Sequence, residues 1–164
     1  MASPSRPEIP NNFRFEFDPA NKLLLVRVGG RLTEEVVTEL YKAIRAYSTA
    51  TDASAGIWDF SSVTEIALSA NFIREIANQE PAMPDATKRP RFIVVPDTLG
   101  FGLARMFEII GEPTRPRLEV VHTMDEALAA LGVQPPPTSN LWSDRKFSTQ
   151  RFFPSRPNLP KAVH

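Results

Sequence analysis

Few side chains in this sequence are of a kind and spacing that could do chemistry, and the most telling lies between Ile57 and Ala77. There a strand ending in Trp58, Asp59 and Phe60 leads through Ser61, Ser62, Val63 and Thr64 to a helix opening at Ser69. A serine at such a junction sets its hydroxyl beside unpaired backbone N–H groups, where added negative charge is favoured. Ser69 is therefore either a switch or docking residue, or an ordinary helix cap. Asp59, at a strand end, could serve as an acid or base, or bond the backbone of the following loop. The histidines are His122, just before a helix cap, and His164, the last residue. Neither has metal-ligand spacing. Gly100 and Gly102 flank Phe101 in the manner of a nucleotide-binding start, but Arg105 stands where a third glycine is needed, and close helix packing also accounts for the pair. No nucleophile–base pair, metal cluster or phosphate loop is assembled, so neither an enzyme nor a cofactor is expected.

Composition narrows the remaining classes. The chain has 164 residues, 42% hydrophobic and 23% charged, a size and balance suited to one globular domain. Cysteine is absent, which excludes disulfides, thiolate metal sites and a cysteine nucleophile. No apolar run reaches the roughly 18 to 20 residues of a membrane helix, and Met1 to Asn12 lacks a signal-peptide core, so a soluble cytoplasmic protein is expected. Formal net charge is zero, yet residues 133–164 hold five basic residues and one acid. The mildly acidic remainder has no general attraction for nucleic acid, which leaves the tail as the one segment suited to it.

The elements that must position these residues follow from periodicity. Met1 to Asn12, with Pro4, Pro7 and Pro10, reads as a flexible lead-in. Phe13, Phe15 and Phe17 alternate with polar residues, and Asp18 to Asn21 separates them from Leu23 to Val28, predicting a hairpin whose second strand ends at Gly29 and Gly30. Thr33, Glu34 and Glu35 open a helix running to about Ser48, buried through Val36, Val37, Leu40, Ile44 and Tyr47. A strand over Ala55 to Phe60 and a helix over Ser69 to Gln79, buried through Phe72, Ile73, Ile76 and Ala77, come next. After a loop over Glu80 to Pro90, Arg91 to Val95 reads as a central strand covered on both faces.

Pro96, Asp97 and Thr98 then open a helix carrying Leu99, Leu103, Met106, Phe107 and Ile110 and ending at Gly111. Leu118 to Val121 is the last strand, and Thr123 with Glu126 forms a capping box for a short helix closed by Gly132. Alternating strands and helices after a hairpin predict an α/β fold with a mixed, largely parallel sheet and about four helices over residues 13–132. The tail, 133–164, is rich in proline, and Trp142, Phe147, Phe152 and Phe153 sit among Arg145, Lys146, Arg151 and Arg156. It reads as disordered, or as packed on its own domain. The same interleaving suits stacking on single-stranded nucleic acid, entry into a membrane interface or docking to a partner.

The element order, with Asp59 to Glu65 leading to Ser69 at a helix start, resembles the STAS family of sulfate-transporter and anti-sigma-factor-antagonist domains over about Phe13 to Gly132. In that family the strand ends in a pattern like Asp, Leu, Ser, Gly or His, Val, followed by Asp, Ser, Ser or Thr, and Gly at the helix start. In the antagonist branch the hydroxyl residue before that glycine is phosphorylated by a partner anti-sigma kinase. Aligned on this pattern are Ala67, Leu68, Ser69 and Ala70, so Ser69 alone matches it. The resemblance implies a single STAS-like domain in a bacterial, non-enzymatic regulatory protein, with Ser69 as a phospho-switch.

Ser69 and Thr98 both follow strands into helices, which places them at the carboxyl edge of the sheet, where open α/β sheets bind ligands and partners. The partner surface expected from this is Asp59, Ser61, Ser62, Thr64, Glu65, Ser69, Asp97, Thr98 and Arg105. The rival reading is a carrier or sensor of a lipid or other small apolar molecule, with a cavity lined by Phe72, Met106 and Phe107, residues that a plain core also explains.

Overall fold

The computed structural model describes residues 12–83 and 88–134. The expectations for the N-terminal lead-in, apart from Asn12, and for the tail beyond Gln134 lie outside the described residues. Nine elements follow in chain order: β1 (Phe13–Asp18), β2 (Leu23–Thr33), α1 (Glu34–Ala50), β3 (Ala55–Ala67), α2 (Ala70–Ala77), β4 (Arg91–Val94), α3 (Thr98–Gly111), β5 (Leu118–Val121) and α4 (Met124–Leu131). The strands form one sheet in the order β1-β2-β3-β4-β5, antiparallel between β1 and β2 and parallel thereafter. This is the α/β architecture that the alternating pattern predicts. Among the described residues no helix is long and apolar enough to cross a membrane.

Local chemistry starts and stops these elements. The hairpin closes on an Asx turn, in which Asp18 Oδ1 accepts from the backbone N–H groups of Ala20 at 3.0 Å and Asn21 at 3.3 Å. Thr33, Ser69, Asp97 and Thr123 cap the four helices, each side chain accepting a backbone N–H three residues on. Glu126 Oε2 accepts the N–H of His122 at 3.0 Å, one residue beyond the usual capping-box partner, the N-cap Thr123. Gly132, with φ of 68°, takes the left-handed conformation that ends α4, and Val133 N–H continues to the carbonyl of Leu128.

Two strands outlast the expected lengths. Gly29 and Gly30 do not end β2, which runs on to Thr33, and Ser61 to Ala67 is not a loop but the second half of β3. Parallel pairing of Arg31, Leu32 and Thr33 with Glu65, Ile66 and Ala67 holds both extensions together. Register shifts between Arg27 and Gly29 and between Gly30 and Arg31 insert two extra residues into β3. Those bulges explain why the segment does not read as a strand: Phe60, Val63 and Ile66 recur every third residue instead of every second. The middle strand is β3, with β4 interior beside it.

The two faces of the sheet bury separate clusters. One joins Leu24, Val26, Val28, Trp58 and Ile93 to Val36, Leu40 and Ile44 of α1, with Ala104 and Phe107 of α3 packed against it. The other sets Leu23, Leu25, Ile57, Phe92 and Val94 against Ala127 and Leu128 of α4. The loop after α2 contributes more than polar punctuation, since Ala82 and Met83 are both buried in the first cluster.

On the first face, three helices meet at Arg115. Arg115 is 2% exposed, and its guanidinium donates to the carbonyls of Ala77 at 2.6 Å and Gln79 at 2.9 Å, at and just past the end of α2, and to the Tyr41 hydroxyl of α1 at 3.0 Å. It also lies 5.0 Å from the Phe107 ring centroid of α3.

Arg115→Met is expected to lower unfolding free energy by about 3 kcal/mol or more in urea, because several buried oxygens lose a charged donor at once. Arg115→Lys, which keeps the charge but not the fork, should retain part of it. At Gly56 an added methyl carbon would lie 2.4 Å from the Trp58 ring. Gly56→Ala should therefore cost about 1 to 3 kcal/mol in the same measurement.

Candidate functional site

Parallel strands carry their following helices back from one edge, so the starts of α1, α2 and α3 collect beyond the carboxyl ends of β2, β3 and β4. Thr33, Ser69 and Asp97 cap these starts. Ser69 is exposed and its hydroxyl has two partners: Oγ accepts from Phe72 N–H at 3.1 Å and donates to Glu34 Oε1 at 3.0 Å. One side chain thus joins the beginnings of α1 and α2. Glu34, which the sequence pattern marks only as a favourable first-turn carboxylate, is the residue that answers Ser69.

The third helix start lies close by. Asp97 accepts Gly100 N–H at 2.8 Å and 3.1 Å through its two oxygens, so Asp97 is the cap and Thr98 the first residue of the helix. An added methyl carbon on Gly100 would stand 2.6 Å from Val95 Cγ1 and 3.0 Å from Ile66 Cδ1. Close packing thus accounts for Gly100; Gly102, by contrast, has open space around it. Beside this start Phe101 stacks on His122 with ring centroids 3.9 Å apart, and Leu99 is 65% exposed. Leu99 is an apolar side chain on a polar rim that helical periodicity alone assigns to the third helix without saying where it points. Arg105 lies about two turns along α3 from the Asp97 cap, exposed and paired with Glu108.

The remaining residues of the expected partner surface are elsewhere. Asp59 pairs in register with Arg27 and alternates with Trp58, which faces α1 and α3, so it belongs to the opposite face of the sheet. Its Oδ1 accepts the N–H of Ser61 at 2.9 Å and the Ser61 hydroxyl as well. Ser62 aligns with Gly29 and Glu65 with Arg31, whose Nε lies 3.3 Å from Glu65 Oε2 on the exposed surface. Thr64 is exposed at the second bulge. The nine residues therefore divide into a rim group of Ser69, Asp97 and Thr98, with Arg105 further down α3, and a strand group of Asp59, Ser61, Ser62, Thr64 and Glu65. The bulges account for the division, because they hold Phe60, Val63 and Ile66 under the helices and leave the polar residues outside.

Beneath the rim the helical layer is not closely filled. A cavity of about 130 Å³ lies between the sheet and α1, α2 and α3, bounded by Leu32, Trp58, Phe60, Ile73, Ala104 and Phe107 among others. Of the lining expected for an apolar carrier, Phe107 faces it, whereas Phe72 and Met106 are half-buried outside it. Ile73 and Ile76 are the α2 residues on the cavity side, and Leu103, Ala104 and Phe107 those of α3. Arg91, Arg115 and Tyr41 line the end away from the rim. Burial and the neighbouring Arg115 charge bring the Arg91 guanidinium down to about 10.

Among the described residues no group of three or more histidine or carboxylate side chains could hold a metal ion.

No family model and no curated protein matches the sequence. Among solved structures the chain is similar to the unphosphorylated anti-sigma factor antagonist SpoIIAA, at 12% identity over 74% of this chain and 98% of that one, with a TM-score of 0.47. An anti-sigma factor antagonist from Mycobacterium paratuberculosis is similar at 19% identity over 75% and 97% of the two chains, TM-score 0.46. The phosphorylated form of SpoIIAA, a Bacillus cell fate determinant, is similar at 17% identity over 73% and 98%, TM-score 0.44.

Proposed function

We propose that this domain is a non-enzymatic regulatory module of the cytoplasm, with the rim around Ser69 as a protein-docking surface and the Ser69 hydroxyl as a covalent switch set by a partner kinase. The observation that carries the reading is the double use of that hydroxyl, which caps α2 and hydrogen-bonds Glu34 at the start of α1 while staying exposed. The sequence resemblance at Asp59 to Glu65 and Ser69 points the same way.

Transfer of the γ-phosphoryl group of ATP to Ser69 Oγ, with the bond to the β-phosphate broken and ADP leaving, displaces the hydroxyl proton and so removes the donor that Glu34 now accepts. A group of about −1.5 to −2 charge then faces a carboxylate. Unit charges about 4 Å apart in water-like surroundings interact by about 1 kcal/mol, and salt screens that further. The helix start contributes about 0.3 to 1 kcal/mol in the favourable sense. The two effects nearly offset, so the modification changes the charge and contacts of the rim with little effect on folding. Leu99, exposed beside Asp97 and Thr98, supplies an apolar anchor of the kind protein interfaces bury.

The test is affinity capture from the native cell with the full chain as bait, comparing the parent with Ser69→Ala, Ser69→Asp, and Ser69→Asp combined with Glu34→Gln. The parent and Ser69→Ala should retain the same partner, Ser69→Asp should retain at least tenfold less, and the added Glu34→Gln should recover part of the loss. Equal retention by all four removes Ser69 from the mechanism. Ser69→Ala should also lower unfolding free energy by about 1 kcal/mol, since α2 loses its cap.

A further inference from the structure

Natural cores contain few voids larger than a water molecule, and an apolar space that is roomy enough for a small ring stays dry and accepts one. The cavity under α1, α2 and α3, at about 130 Å³, belongs to that size class. Its walls are Leu32, Ile73, Ala104 and the rings of Trp58, Phe60 and Phe107, surfaces that offer dispersion and ring contacts but little to a charged molecule.

Its polar end is lined by Arg91, Arg115 and Tyr41. The terminal nitrogens of Arg115 are occupied by the carbonyls of Ala77, Gln79 and Ile76, by Thr114 Oγ1 and by the Tyr41 hydroxyl. A ligand carboxylate would find the Arg115 donors already engaged, and Arg91, at the same end, has a partner of its own. Tyr41, in accepting from Arg115 at 3.0 Å, keeps its own O–H proton, which no acceptor among the described residues takes. A phenol whose oxygen is bonded to a guanidinium is a strengthened donor.

We propose that this cavity is a binding site for a small, uncharged, mainly hydrocarbon molecule of about the size of a single ring, with one acceptor oxygen directed at the Tyr41 hydroxyl. The site reaches the rim at Asp97 and Gly100 but does not depend on the role given to Ser69.

Toluene, acetophenone and sodium benzoate are the probes, titrated into the full chain with binding followed by protein NMR shifts and by thermal unfolding. Toluene and acetophenone should bind saturably and raise Tm, acetophenone the more tightly, and benzoate should bind at least tenfold more weakly than acetophenone. Ala104→Leu, which extends a side chain into the space, should weaken both neutral probes at least tenfold while the protein remains folded by circular dichroism. Tyr41→Phe should weaken acetophenone severalfold and leave toluene unchanged. Absence of saturable binding up to the aqueous solubility of the neutral probes, or affinities unaffected by Ala104→Leu, overturns the site. Tighter binding of benzoate than of acetophenone overturns the uncharged-ligand assignment, and equal losses for both neutral probes in Tyr41→Phe overturn the role of the hydroxyl. Should Ala104→Leu fail to fold, Leu103→Phe, on the same wall, replaces it with the same expected loss.

Discussion

A single buried guanidinium holds the helical layer of this domain in place. Arg115 enters from the turn after α3 and gives its donors to the carboxyl end of α2, to Tyr41 on α1 and to its own turn, with Phe107 beneath it. Desolvating a guanidinium is costly, and its hydrogen-bond partners among the described residues are neutral oxygens, not carboxylates. What offsets the cost is their arrangement: carbonyls at a helix carboxyl terminus carry the negative end of the helix dipole and otherwise lack donors. Removing the cation would leave those oxygens buried and unpaired together.

That anchorage matters because α2 could not stand alone. Eight residues make about two turns, well short of the length at which an isolated helix persists in water. It is tied at both ends instead, by Arg115 at one and by the Ser69 to Glu34 hydrogen bond at the other. The cavity lies along the side of the same helix, against Ile73 and Ile76. A charge added at Ser69 and a molecule seated in the cavity would therefore act on one short element, from its end and from its flank.

The rim itself is a product of topology. Parallel strands return the chain so that each helix begins at the same edge, and capping residues of modest individual value become neighbours there. The bulges in β3 then sort its second half, with Phe60, Val63 and Ile66 under the helices and Asp59, Ser62 and Glu65 on the far side. This is why one continuous run of polar residues in the chain forms two surfaces in space.

Much of this was legible from local patterns. Alternation in Phe13 to Phe17, helical spacing in Val36 to Ile44, the caps Thr33, Ser69 and Thr123, and the glycine closing α4 each follow from the period or chemistry of a few adjacent residues, so the α/β class, the element order and the place of Ser69 at a helix start are properties of the sequence by itself. The extension of β2 past Gly30, the strand character of Ser61 to Ala67, the burial of Met83, the pairing of Ser69 with Glu34 and the enclosure of Arg115 are not. Each depends on partners 30 or more residues away or on register between strands: Glu34 lies 35 positions from Ser69, and Ala77 lies 38 from Arg115. Short-range periodicity reports which side of an element is apolar, but only packing decides what meets that side, and the cavity beneath α2 is where the packed layers fail to meet.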